Sequence, residues 1–435
     1  MADDTRTNTS GPRSYGIKPI IQSLRSRNYR LFFAGQSVSL IGTWMQQVAM
    51  RWLVYRLTGS AFLLGVIGFT SQIFTFLLAP FAGVLADRWN RRPLLIITQG
   101  LALLQAALLA AAVLTGVVQV WHIIVLSLLL GAVNAFDIPI RQSFVVEMID
   151  DRKYLGNAIA LNSSMVQVAR LLGPSIAGLL VVSFGEGLCF VLNGFSYLAV
   201  LLALVAMKLA PSSHSIKQRR HVLQELKEGF KYAFGFGPIR SLLMLVALTG
   251  LMETLYVVLV PVFAKEVLHG GANTFGFLMA AIGCGALIGT YTLASRKSVV
   301  GLGSMMVLSS FLFGGGIAIF ALSSNLLLSL VSLVVSGFGA MILVAACNTI
   351  LQTILEEDKR GRVMSLFTMS FMGMAPFGSF TAGVMSGVIG PKNTVLFGAL
   401  CCLGGGLIFA RHLPQIREAI RPIYVKMGIV KEGTL

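Results

Sequence analysis

Long apolar stretches alternate with short polar breaks along this chain. The apolar segments fall at 30–56, 61–86, 93–115, 120–144, 155–183, 187–209, 239–263, 273–295, 299–321, 325–354, 362–388 and 393–411. Each can span roughly 30 Å of hydrocarbon at about 1.5 Å per helical residue. The two-residue alternation of membrane barrel strands is absent. The pattern predicts an all-α membrane protein with twelve transmembrane helices. The breaks are short except at 210–238, which divides the spans six and six. There Val222, Leu223, Leu226, Phe230 and Phe234 recur at near-helical spacing among lysines, as in a helix lying in the membrane interface. The predicted organisation is a tail at 1–29, a six-helix half at 30–209, a central loop with its interfacial helix at 210–238, a second six-helix half at 239–411 and a tail at 412–435.

Composition agrees: 56% of the 435 residues are hydrophobic and 12% charged, with mean hydropathy +0.81, against roughly 25% charged in soluble proteins. The net charge of +17 raises the question of nucleic acid, and its distribution answers it. The N-terminal tail, the breaks after spans two, four, eight and ten, the central loop and the C-terminal tail hold 29 of the 34 Lys and Arg. This positive-inside asymmetry predicts that both termini are cytoplasmic and explains the charge by orientation, so no nucleic-acid partner is expected. The first 28 residues are polar and basic, unlike a secretory leader. The five cysteines all fall in apolar segments, at neither disulfide-framework nor zinc-ligand spacing. No His/Cys/carboxylate cluster, phosphate loop or nucleophile–base constellation stands out, so no metal, no cofactor and no enzyme activity are expected.

The chemistry lies in polar residues inside the spans. Span one carries Gln36, Thr43, Gln47 and Arg51 on one helical face. Arg170 and Glu253 fall near the centres of spans five and seven, where a charge needs a cavity or a partner. Glu253 is a candidate proton carrier, since a partly desolvated carboxylate can titrate near neutrality. A static pair with Arg170 is the alternative. Thr249 and Tyr256 share the face of Glu253. Span four ends with Asn134, Asp137 and Arg141, the last two at i, i+4 and able to pair. Span ten adds Asn348 and Gln352 at the same spacing. The halves repeat weakly: Gly156, Leu161, Gly173, Ala177 and Gly178 match Gly361, Leu366, Gly378, Ala382 and Gly383 at one offset of 205.

The break after span two holds Gly83, Asp87, Arg88, Arg91 and Arg92, with Asn90 in place of a usual glycine. This spacing, with the twelve spans, resembles the major facilitator superfamily of secondary transporters, across roughly residues 25–410. The resemblance implies that the loop latches a cytoplasmic gate, with Arg141, and that Asp137 belongs either to that gate or to a substrate site. It implies that spans one, four, seven and ten line a central cavity, making Gln36, Thr43, Gln47, Arg51, Asn134, Tyr256, Asn348 and Gln352 substrate-cavity candidates. Gly173, Pro174 and Gly178 are similar to the exporter signature of helix five, helix packing being the plainer reading. The arginine of proton-coupled drug exporters in span four is replaced by Ser127. Residues 136–142 resemble the branch with macrolide and enterobactin-type siderophore exporters. The expected protein is a bacterial inner-membrane exporter, functional as a monomer in the lipid bilayer. It would move a lipophilic or amphipathic small molecule by alternating access, with protons as coupling ion and Glu253, Asp137 and Arg170 as coupling candidates. A lysophospholipid flippase and a transport-inactive assembly or sensor protein are the alternatives.

Overall fold

The computed structural model describes residues 22–88, 90–149, 151–208, 222–296 and 298–430. The described residues form helices joined by short turns. The first half comprises α1 (Arg27–Thr58), α2 (Ala61–Arg88), α3 (Arg91–Leu114), α4 (Val120–Phe144), α5 (Leu155–Phe184) and α6 (Glu186–Ala206). A short helix, α7 (Val222–Gly235), leads into α8 (Gly237–Val262), α9 (Ala272–Ala294), α10 (Leu302–Leu322), α11 (Leu326–Ile354), α12 (Glu357–Met372), α13 (Ala375–Ile389) and α14 (Pro391–Lys426). Local chemistry sets the ends. Gly59 closes α1 in the left-handed region at φ 62°. Asn90 and Asn325 cap α3 and α11 through their side-chain oxygens.

Eleven spans among the described residues are long and apolar enough to cross a membrane, α12 and α13 counting together as one. The twelfth long helix is α1. It has 32 residues, and its glutamines and Arg51 lower its apolarity. The structure departs from the predicted elements in two places. Span eleven is broken between Met372 and Ala375. The last helix runs on to Lys426 rather than ending at 411, because Leu413, Ile416 and Ile420 continue an apolar stripe buried against the second half.

Alternating helices define a terminal end, holding the start of α1, the end of α14 and α7, and an opposite distal end. The core is organised by end. Around the distal end one cluster joins both halves, taking in Trp52, Leu53 and Tyr55 with Tyr256, Phe263, Phe275 and Phe320. Toward the terminal end the described residues form separate clusters. One gathers Tyr29, Ile140, Phe144 and Leu204 of the first half, the other Leu242, Leu343, Leu351 and Val363 of the second.

Two crossings hold the halves together, α5 on α9 and α2 on α13, and glycine makes each possible. A Cβ on Gly276 would stand 2.7 Å from the Pro174 carbonyl oxygen and 2.8 Å from the Gly178 Cα. A Cβ on Gly65 would stand 2.6 Å from the Ser379 carbonyl oxygen and 2.7 Å from the Gly383 Cα. Gly178 and Gly383 are a repeat pair from the sequence, so the internal repeat coincides with two equivalent backbone approaches.

Candidate functional site

The polar residues of the interior form a column between α1 and α5 on one side and α8 on the other. At its middle, Arg170 Nη2 donates to Glu253 Oε1 at 2.5 Å, tying α5 to α8 across the halves. The guanidinium also lies 5.7 Å from the Trp44 ring centroid. The Arg170 side chain is 24% exposed and that of Glu253 12%, so the pair is partly desolvated yet in reach of water. Sequence left their pairing open; the structure makes them partners.

A seal lies above, at the distal end. After Pro261 the end of α8 widens into a π-helical turn, Phe263–Val267, which presents Lys265 and Glu266. The Tyr55 hydroxyl of α1 donates to the Glu266 carboxylate, and the Lys265 ammonium sits 5.5 Å from the Tyr55 ring centroid. Trp52 stacks on Phe275 with centroids 6.3 Å apart, and Arg56 bonds Glu186 at 2.7 Å. Sequence reading passed over Tyr55 and Glu266. Their partnership joins positions 211 residues apart, and no spacing rule reaches that far. Tyr55→Phe removes a hydrogen bond to a charged group, worth about 1.5–3 kcal/mol. Spin labels at Val117 and Leu327, exposed on opposite halves of this end, should then report a larger wide-distance population. An unchanged distance distribution would deny the seal.

Below the column, toward the terminal end, described polar and ring contacts between the halves continue to Phe76 with Phe377, 5.5 Å between centroids, and to Gln167 with Thr290 at 3.1 Å. The exporter-like motif sits on the distal side of Arg170. Gly173 packs on Trp44 and the α1 backbone, while Pro174 and Gly178 meet α9.

The gate residues divide. Gly83, Asp87 and Arg88 lie in α2, and their side chains fall outside the described residues. Arg91 is ion-paired with Glu147, and Arg92 donates to the Val205 carbonyl at 3.0 Å. Asp137 is buried inside the first half. It accepts from Thr98 at 2.9 Å and Gln99 at 2.8 Å, with Arg141 at 3.3 Å. That corrects its candidacy as a cavity or coupling group: its described partners lie on α3 and α4, with no contact to the second half. Asn134, one turn away, is half-buried on the same helix.

Several cavity candidates turn elsewhere. Gln36 is 3% exposed. Thr43 donates to the Ser39 carbonyl at 2.9 Å and lies 3.3 Å from the Tyr197 hydroxyl, so it faces α6. Tyr256 is 1% exposed, with its ring edge on Phe313. Burial takes Gln36 and Tyr256 out of an accessible cavity, and Thr43 is turned to its own half. Asn348 and Gln352 bond each other at 3.1 Å, and Gln352 is exposed. Gln47 and Arg51 remain on the column. Sequence reading also missed a buried chain in the first half, where Asn193 donates to Gln46 at 2.7 Å and Gln46 to Gln105 at 2.9 Å. It locks α1, α3 and α6 into one body. No His/Cys/Asp/Glu group among the described residues could hold a metal ion.

The family model described as transmembrane secretion effector, a branch of the major facilitator superfamily, matches residues 20–424. The chain belongs to that family. This facilitator is 26% identical to the staphyloferrin A transporter of Staphylococcus aureus, over 84% of this chain and 91% of that one. It is 24% identical to the multidrug efflux pump Tap of Mycolicibacterium fortuitum, over 85% and 92%. It is also 24% identical to the enterobactin exporter EntS of Shigella boydii, over 90% and 92%. Its fold matches a bacterial homolog of the human lysosomal transporter Spinster, with TM-score 0.68, 14% identity and 95% and 100% of the two chains covered. It also matches the nucleoside transporter NupG, with TM-score 0.67, 12% identity and 89% and 99% covered. This facilitator is a multi-pass membrane transporter and not an enzyme.

Proposed function

We propose that this facilitator exports a small amphipathic molecule of the drug or siderophore class from the bacterial cytoplasm across the inner membrane by alternating access, with protons as the coupling ion. In this reading α1 is the twelfth crossing helix, the halves are residues 30–209 and 239–411, and the terminal end faces the cytoplasm with both tails. A monomer suffices, since each crossing of the halves is made within one chain.

One observation carries the reading: among the described residues one ion pair, Arg170–Glu253, bridges the halves beneath a closed distal seal, while the described cores at the terminal end stay separate. Such a carrier is open to the cytoplasm. Once the distal end has opened to release cargo, a proton from the far side would reach Glu253, release Arg170 and let the halves rock back. A potential of about 100 mV contributes roughly 2.3 kcal/mol per charge, and each pH unit about 1.4 more, enough to concentrate a neutral solute by a few hundredfold. The names of the relatives support export of drugs or siderophores.

The test is accumulation in an efflux-deficient bacterium with and without the protein. The panel holds macrolides, cationic dyes, a catecholate siderophore and a lysophospholipid. Lower accumulation of one drug or siderophore class, reversed by a protonophore, is the expected result. Protonophore-insensitive accumulation across the panel would overturn the coupling.

A further inference from the structure

We propose that Arg51 is the anion-binding residue of the central cavity and that the physiological substrate carries a negatively charged group, of carboxylate or sulfonate type, which the guanidinium receives. This rests on the exporter reading and names the substrate class of the same column.

The placement of Arg51 follows from its neighbours on α1. Trp44, seven residues before it, lies against Arg170, and Tyr55, four residues after it, reaches Glu266. Residues at these spacings share a helical face, so Arg51 occupies the turn between the ion pair and the seal, on the α1 face that meets α5 at Trp44 and the end of α8 at Tyr55. It is half-buried. Among the described residues it has neither an ion pair nor a hydrogen bond.

The acids around the column are engaged elsewhere. Glu253 is held by Arg170, Glu266 by Tyr55 and Glu186 by Arg56. Arg51, Arg56, Arg170 and Lys265 stand against Glu186, Glu253 and Glu266, so among these residues the column carries one positive charge in excess. Arginine does not deprotonate under these conditions, and a charge at membrane depth requires a partner or a water-filled cavity. Every other described ionisable group of the column has its partner inside the protein. A ligand anion is the one that completes Arg51, and the fork of guanidinium N–H groups fits a carboxylate or sulfonate through paired hydrogen bonds. Gln47, one turn nearer the ion pair, also lacks a described partner and offers an amide donor beside the anion. Trp44, half-buried beside Arg170, suits the apolar part of an amphipathic ligand.

The test uses one skeleton with and without the charge. The full chain, in nanodiscs of phosphatidylcholine only, is titrated with 8-anilinonaphthalene-1-sulfonate and with uncharged N-phenyl-1-naphthylamine, empty nanodiscs being subtracted. The wild type should bind the sulfonate more tightly. Arg51→Gln should weaken sulfonate binding by roughly tenfold, about the loss expected for one charge-assisted contact, and leave the uncharged amine unchanged, which also certifies the fold. Arg51→Lys should fall between. Equal affinity of the wild type for both probes, or sulfonate binding undiminished in Arg51→Gln, would overturn the proposal. Export is read separately: energy-independent accumulation with an intact sulfonate preference would defeat the exporter reading alone.

Discussion

Glu253→Gln should abolish proton-driven transport while leaving ligand binding intact. The substitution keeps the shape of the side chain and removes its proton chemistry and its charge. Two costs follow. The coupling group is lost, and Arg170 is left without its counter-ion. Breaking a buried pair costs about 3–5 kcal/mol, and the partial exposure of Arg170 puts this one near or below the lower bound. The second cost is separable. In the double variant Arg170→Gln, Glu253→Gln neither charge is stranded, so stability should recover. If the pair only holds the halves together, transport recovers with it. If Glu253 carries the proton, the double variant stays inactive. Proteoliposomes with an imposed pH gradient make the measurement, and undiminished pH-driven uptake in Glu253→Gln would remove the residue from the coupling role.

The second large effect concerns the crossings. Gly65→Ala and Gly276→Ala each place a methyl group less than 3 Å from the backbone of the opposite half. Backbone cannot rotate aside as a side chain can, so the helices must separate. Overpacking of this kind costs about 1–3 kcal/mol, and the penalty falls on the state in which the distal ends meet. A bias of that size moves a two-state population by roughly 5- to 150-fold. The Val117–Leu327 spin-label pair should shift toward the wide distance, and export should fall. Gly387→Ala is the control: it lies on α13, the helix that Gly65 packs against, and its Cβ would meet nothing within 4 Å. Equal effects at Gly65 and Gly387 would mean that helix propensity, and not the crossing, is responsible.

The fold was largely legible because membrane helices announce themselves by length and apolarity. The long apolar helices, the glycine repeat at offset 205 and the presence of α7 all come from local pattern. What failed was also physical. The extension of α14 was hidden because a stripe of three apolar residues among charges falls below any hydropathy threshold, although helical periodicity was present at Leu413, Ile416 and Ile420. At the site, single charges at mid-span depth drew attention to Arg170 and Glu253, which the structure pairs, since so few can be tolerated there. Helical phase was less reliable. Gln46 and Gln47 are neighbours in sequence, but only one is locked into the buried network, and Thr43 turns toward Tyr197 despite sharing the stripe. A face 100° wide on one helix can meet two different helices, and sequence does not say where the border runs. Tyr55 and Glu266 were missed because a seal is a tertiary fact.

The shared distal core also sets how the carrier idles. Opening that end would expose Trp52, Phe263, Phe275 and their neighbours, and burial of such side chains is worth about 1.5–3 kcal/mol each. An empty carrier therefore rests shut on that side and does not slip. With the proposed proton coupling, protons would find no through-route while no cargo is aboard, and the membrane potential would not be drained by a pump with nothing to move.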